Sequence, residues 1–300
     1  MKLTLLQTEV YNRSLMITEA KLATIMSVLS SREGADVELS DNEMVGPSES
    51  ERLSSGGAVA VIPVFGSLSH RAMGLMALSG MTSYQELYTQ IDQVMQDSRI
   101  TEVVLDIDSH GGAASGVFDF ADYVAECSKT KPFTAIVNEH AYSAAYLIAS
   151  ACNEIIIPRT GGVGSIGVIA KHEDRSEANQ QQGRKVTAIY AGARKNDLSP
   201  DQPLSSDALN ELQKMVNQDY EMFVDAVAGY RNMSVDSVRA TEAGLYRGQD
   251  AIEAGLADRI MPARDALNMV IERATSNKKE NPKGSGRRIG RRARAIATRS

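Results

Sequence analysis

The sequence predicts an α/β fold, and three features carry that prediction. Short runs rich in β-branched residues, such as Val59–Phe65, Val103–Asp108 and Glu154–Pro158, read as buried strands. Stretches with apolar residues at helical spacing separate them, and Gly- and Ser-rich turns sit where strands end. With 300 residues, 43% of them hydrophobic, the chain can fill one large α/β core or two small ones.

In chain order, residues 1–35 predict an amphipathic helix, with Leu15, Leu22, Ile25, Met26 and Leu29 near helical spacing. It is either an ordinary peripheral helix or an arm docked on the domain or on a neighbouring subunit. Ser/Glu/Asp/Gly-rich sequence from Ser30 to Gly57 then reads as a flexible linker, so 1–57 is set apart from a core at 58–277. Val59–Phe65 is the first strand, and Pro63 inside it suits a sheet edge. Ser67–Gly80 reads as a loop that could cover a groove, and Ser83–Asp97 as a helix burying Leu87, Ile91, Val94 and Met95. After the strand Val103–Asp108 comes Ser109-His110-Gly111-Gly112, where paired glycines let the backbone approach a ligand. There is no Gly-Lys-Ser/Thr and no Gly-x-Gly-x-x-Gly spacing, so a nucleotide site is weakly supported. A helix Val117–Ser128, a strand Phe133–Asn138 and a helix from Ser143 through Ala151 follow. Thr160–Ala170 predicts an extended segment whose exposed backbone edge suits pairing with a peptide. Val186–Tyr190 predicts another strand, Asp207–Tyr230 a long helix, Gln249–Ala254 a short one, and Leu256–Met261 closes the core.

Charge divides the chain. From Lys278 onward nine Lys/Arg face the single acid Glu280, so against a total of −6 the rest carries −14. The body is therefore ill suited to nucleic acid, and only the basic tail 278–300, read as disordered, could contact it. Cys127 and Cys152 lack metal-ligand spacing and read as buried free thiols of a reducing compartment. His70, His110, His140 and His172 are scattered, so no metal or cofactor is expected. The first residues lack a signal-peptide core, and no run approaches the roughly 18 apolar residues of a membrane span. The expectation is a soluble, intracellular protein.

Ser143 stands at a strand-to-helix turn, where first-turn N–H groups and the helix dipole can stabilise an oxyanion. Taken alone it would be an N-cap, and Lys195 alone would be a solvated loop lysine. Five motifs in order change that reading. Asp106-x-x-Ser109-x-Gly111-Gly112, Tyr142-Ser143-Ala144-Ala145-Tyr146, Gly164-Ser165-Ile166-Gly167-Val168, Gly192-Ala193-Arg194-Lys195-x-x-x-Ser199-Pro200, and Tyr246-Arg247-Gly248-Gln249-Asp250-Ala251 with Gly255-Leu256-Ala257-Asp258 together resemble the signal peptide peptidase A family of serine proteases. The resemblance spans roughly Val59 to Ile260. Within the family it is nearest the capsid assembly proteases of tailed phages, carried also by Leu78-Ser79-Gly80-Met81-Thr82-Ser83-Tyr84.

The resemblance implies a Clp protease/crotonase-like spiral of β-β-α units that forms ring-like homo-oligomers. It also implies Ser143 as nucleophile, Lys195 as general base and Ser165 as the residue orienting that lysine. The N–H groups of Gly112 and Ala144 would form the oxyanion hole, and Gly111, Gly164, Ile166 and Gly167 would line the substrate groove. Lys195 could act only as a neutral amine, with Asp197 pointing away. His172, 29 residues after Ser143, leaves a Ser-His-Asp arrangement conceivable, while His110 and His140 line the groove at most. The implied activity is cleavage of phage scaffold and capsid proteins inside a procapsid in the host cytoplasm. Scaffold, major capsid and portal proteins would then be substrates or assembly partners. Remaining alternatives are a bacterial signal-peptide-peptidase-like protease, a crotonase-type coenzyme A enzyme, and a noncatalytic assembly protein.

Overall fold

Two sheets share their strands' sources, and that sharing sets the architecture. A computed structural model describes residues 10–31, 58–71 and 81–280. The longest strands, β2 (Val59–Phe65), β5 (Glu102–Ser109) and β7 (Phe133–Tyr142), lie parallel in a seven-stranded sheet. Short continuations of the same units, β3 (Ser67–Ser69) and β6 (Gly111–Ala113), form a four-stranded sheet with β4 (Met81–Ser83) and β1 (Leu15–Ile17). Each unit then enters a helix: α2 (Tyr84–Gln96) after β2 and β3, α3 (Val117–Ser128) after β5 and β6, and α4 (Ala144–Ser150) after β7. The repeated long strand, short strand and helix matches the expected β-β-α progression, with the mixed α/β class as predicted and the long strands parallel.

The central strands are apolar on both faces because both are covered. Val103, Leu105 and Ile107 join the main core with α2, α3, α4 and α6 (Ser206–Arg231). Val59, Val104, Ile136 and Ile156 instead pack beneath Ala266, Val270 and Ala274 of α9 (Ala263–Glu280). Sequence reasoning placed the core at 58–277 but assigned no element after Met261, and so missed α9. Its inward residues are mostly alanines four apart, a weak apolar stripe set in a polar helix. Arg273 on α9 reaches Glu102 Oε2 (2.9 Å), Glu154 Oε2 (3.1 Å) and Thr134 Oγ1 (3.0 Å), tying the helix to the sheet.

Pro63 sits in β2, which among the described residues pairs with β5 alone and so stands at the edge, as expected. Ser83 caps α2 through a reciprocal bond with Glu86. β7 outruns its predicted end at Asn138: the register against β5 shifts beyond Ile107, Glu139 takes φ 84°, and His140–Tyr142 swing across to β9 (Gly162–Gly164).

Three expectations are corrected. Leu15 belongs to β1, and the N-terminal helix, α1, spans only Glu19–Ser31, because the apolar run Leu15-Met16-Ile17 finds a strand partner in β6. Thr160–Ala170 has no open edge at its start: β9 lies between β7 and β10 (Leu245–Arg247), and Ile169 pairs with Leu15. Val186–Tyr190 is not a strand, since no partner edge meets it among the described residues, and it leaves Ile189 97% exposed. Leu78–Gly80, most of the proposed linker and the tail from 281 lie outside the described residues. Both cysteines are free and buried. Among the described residues no helix is long and apolar enough to cross a membrane.

Candidate active site

Ser143 joins β7 to α4 in a conformation that a side chain rarely adopts, φ 56° and ψ −120°. It occupies the N-cap position yet makes no capping hydrogen bond with its side chain, which removes the simplest structural reason for a serine there. Its backbone is held from both directions: the N–H donates to Gly164 O (2.8 Å), and the carbonyl accepts from Leu147 N–H (3.0 Å). The hydroxyl is left with one long contact to Gly167 O, 3.5 Å. Strain of this kind persists only where surrounding contacts over-determine it, and it concentrates at reactive residues.

Two glycines form the wall beside the serine. Gly111 takes φ +97°, and a Cβ there would lie 3.1 Å from Ser143 Cβ. A Cβ on Gly112 would strike Leu68 O at 2.0 Å, so the close approach of β6 to β3 requires glycine. Ala144, the first residue of α4, has an N–H with no acceptor inside the helix. On the far side, Ser165 (φ 56°) donates its N–H to Gly244 O at 2.8 Å, and Ile166 is buried. Ser143, Gly111, Gly112, Ala144, Gly164, Ser165, Ile166 and Gly167 therefore come together around one turn.

Lys195 does not join them. It is exposed on the loop after α5 (Ser176–Gln181), and among the described residues no hydrogen bond or ion pair links its side chain to Ser143 or Ser165. His172, the rival base, has Nδ1 2.8 Å from Asn12 Oδ1 and its Nε2 buried without a partner among the described residues, so it serves the N-terminal segment.

The closing motif of the sequence acts as a support. The buried Tyr146 of α4 donates its hydroxyl to Leu256 O at 3.1 Å, and Arg231 pairs with Asp258 at 2.7 Å while Asp258 Oδ2 accepts Ile155 N–H at 2.7 Å. Arg247 donates to Thr160 O at the entrance to β9.

Sequence reasoning missed two features. His110, His140 and Tyr142 form an aromatic cluster, with His110 and His140 centroids 4.5 Å apart and His140 Nδ1 3.1 Å from Asp108. Burial, then His140 and Lys21, hold the His110 imidazole below its usual pKa. The spacing of 108 with 110 at the end of β5 and of 140 with 142 on β7 was the available signal, hidden by the register shift. The second feature is Met16, which arrives from a segment read as a helix. Among the described residues no group of three or more His, Cys, Asp or Glu is placed to hold a metal ion.

Comparisons with known proteins place the chain among peptidases. The profile of peptidase family S49 matches residues 125–277. The chain is 41% identical over 219 residues to the head-tail preconnector protein GP5 of Enterobacteria phage P21, covering 73% of this chain and 44% of that protein. It is 35% identical over 233 residues to the capsid assembly protease C of Escherichia phage lambda, covering 78% of this chain and 53% of that protein. The chain thus spans about half the length of these curated relatives. A solved ClpP1 point mutant from Listeria monocytogenes is similar at 12% identity and a TM-score of 0.43, covering 69% of this chain and 94% of that one.

Proposed function

The chain belongs to peptidase family S49, and from that premise we propose that it is a serine endopeptidase acting through Ser143 on scaffold and capsid proteins during phage procapsid assembly. The observation that carries this reading is the strained, uncapped Ser143 turned against the Gly111–Gly112 wall. Ser143 Oγ attacks the substrate carbonyl carbon, and its proton passes to the neutral amine of Lys195. The amide C–N bond then breaks, the lysine returns the proton to the leaving amine, and water hydrolyses the acyl-enzyme. The N–H groups of Gly112 and Ala144 hold the oxyanion, each contributing about 2.7–4 kcal/mol to the transition state.

Lys195 must travel to take part, and the loop that bears it suggests how. Val186, Ile189 and Tyr190 on the same stretch are exposed apolar side chains that a second copy would cover. In this reading oligomerisation docks the loop and brings Lys195, oriented by Ser165, to a serine of its own or a neighbouring subunit.

The test is mass-spectrometric mapping of fragments after co-expression with the neighbouring capsid and scaffold genes. Wild type should cut, Ser143→Ala and Lys195→Ala should not, and His172→Ala should retain cutting. Mixing the two inactive variants restores cleavage if the lysine acts across subunits. Uncut chains with wild type would refute the peptidase reading and leave a noncatalytic assembly protein.

A further inference from the structure

The segment Ser14–Thr18 lies where a substrate of the proposed peptidase would lie. β1 runs antiparallel to β6, with Met16 opposite Gly112 and Ile17 opposite Gly111. Its other edge is bonded to the strand that leaves the Ser165 turn: Leu15 N–H donates to Ile169 O at 2.8 Å, and Ile169 N–H to Leu15 O at 2.9 Å. An extended backbone gripped on both edges, between a glycine wall and the segment beyond the nucleophile, is how a peptide is bound by strand addition.

The register singles out Met16. Thr18 N–H donates to His110 O at 3.1 Å, and bonded pairs alternate along an antiparallel ladder, so Met16–Gly112 is the next bonded pair. The Gly112 N–H, assigned above to the oxyanion hole, therefore faces the Met16 carbonyl. The point where a Cβ on Gly111 would stand is 2.0 Å from Met16 O, 3.0 Å from the Met16 carbonyl carbon and 3.1 Å from Ser143 Cβ. Carbonyl and nucleophile converge on one spot, and with β1 in place Ser143 is 0% exposed. The Met16 side chain is likewise 0% exposed, in the same core cluster as Leu68, Ala144 and Ile166.

A further observation argues against a permanent core strand. Ser14 Oγ and Thr18 Oγ1 of this segment, and Nε2 of His172, which holds the neighbouring Asn12, are buried with no hydrogen-bond partner among the described residues. Each such atom costs about 1–3 kcal/mol of lost hydration, so the segment is held less well than its burial suggests.

We infer that Ser14–Thr18 is an intramolecular occupant of the substrate groove, competing with substrate, with Met16 in the position whose carbonyl faces Ser143. This rests on the proposed function of that site and adds a substrate class. Targets are extended segments carrying a long, unbranched apolar residue before the scissile bond and a buried aliphatic residue one place earlier, as Leu15 is here.

The experiment uses the full chain with Ser143→Ala, so that nothing is hydrolysed, and a fluorescent peptide of residues 11–20 (YNRSLMITEA) followed by anisotropy. A site-specific protease sequence is inserted between residues 45 and 46 and cut after folding. That removes a tether whose effective concentration is on the order of millimolar. The uncut chain should bind the peptide at least tenfold more weakly than the cut chain, and the same peptide with Met16→Asp should not bind either. Met16→Asp within the full chain provides a second opened form. Equal peptide binding by cut and uncut chains, or none by a cut chain with an unchanged circular dichroism spectrum, would overturn the inference. Peptide binding by the cut Ser143→Ala chain, alongside a wild-type chain that hydrolyses nothing even after the same cut, would sink the peptidase reading and leave the segment as the occupant of the groove.

Discussion

Gly111→Ala tests the active-site wall most directly, because its cost separates into two parts. At φ +97° any L side chain is strained, for about 1–3 kcal/mol. The new Cβ would also lie 2.0 Å from Met16 O and 3.1 Å from Ser143 Cβ, and neither atom is the loose end of a flexible side chain. Gly183 isolates the first part, with φ +68° and nothing within 4 Å of its added Cβ. Gly183→Ala should therefore cost about 1 kcal/mol in urea unfolding and leave peptide hydrolysis unchanged. Gly111→Ala should cost about 3 kcal/mol or more, the excess coming from displaced backbone. Hydrolysis of a fluorogenic peptide should fall about hundredfold, since a shift of about 1 Å in the Gly112 N–H misplaces the oxyanion donor. Equal destabilisation of the two variants, with hydrolysis by Gly111→Ala intact, would refute the packing argument.

Other substitutions probe the scaffold. Gly229→Ala, inside α6 with open space around its Cβ, should stabilise the chain by about 0.5–1 kcal/mol in the same unfolding assay. Arg273→Met should cost about 2–3 kcal/mol, because it strands the buried Glu102 carboxylate, and thermal unfolding with an intact far-ultraviolet spectrum would show it. Burial pushes the Asp106 carboxyl up to about 6, against its ordinary 3.8. The folded chain then holds a proton that the unfolded chain has released. The resulting stability is present below pH about 4 and lost as pH rises through 6, an effect of about 2–3 kcal/mol. Asp106→Asn should therefore raise the melting temperature at pH 8 but not at pH 4, and a gain independent of pH would contradict this assignment.

Legibility followed local density of signal. Strands such as Val103–Asp108 and helices such as Val117–Ser128 were readable because their periodicity lies within one segment. The Ser143 turn was readable because Ser143, the glycine wall and the Ser165 loop each carry a contiguous motif. What stayed hidden depends on partners distant in sequence. The triplet Leu15-Met16-Ile17 is too short to favour strand over helix until β6 lies beside it, and α9 shows its alanine face only against Val104 and Ile156. Val186–Tyr190 failed in the opposite sense, since β propensity means little without an edge to pair with.

The same distinction bears on how the strained serine is maintained. Ser143 cannot hold φ 56° through its own side chain, which makes no cap, so the conformation must be set by what is built around it. One restraint is the Gly164 carbonyl, whose strand is fixed from behind by β10. The other is α4, anchored through Tyr146 to Leu256 and, beyond it, the Arg231–Asp258 pair. Both restraints are backed by the final motif, residues 246–258, through β10 and through Leu256 and Asp258, and that motif is assigned no reacting group. Its pairing therefore accounts for the proposed catalytic turn and a remote C-terminal motif occurring together in one chain. Tyr146→Phe tests this coupling. Losing that bond should cost about 1 kcal/mol of stability, whereas peptide hydrolysis should fall by a larger factor, because α4 sets the Ala144 N–H as well as Ser143. A loss confined to stability would mean that the serine turn is held by Gly164 alone.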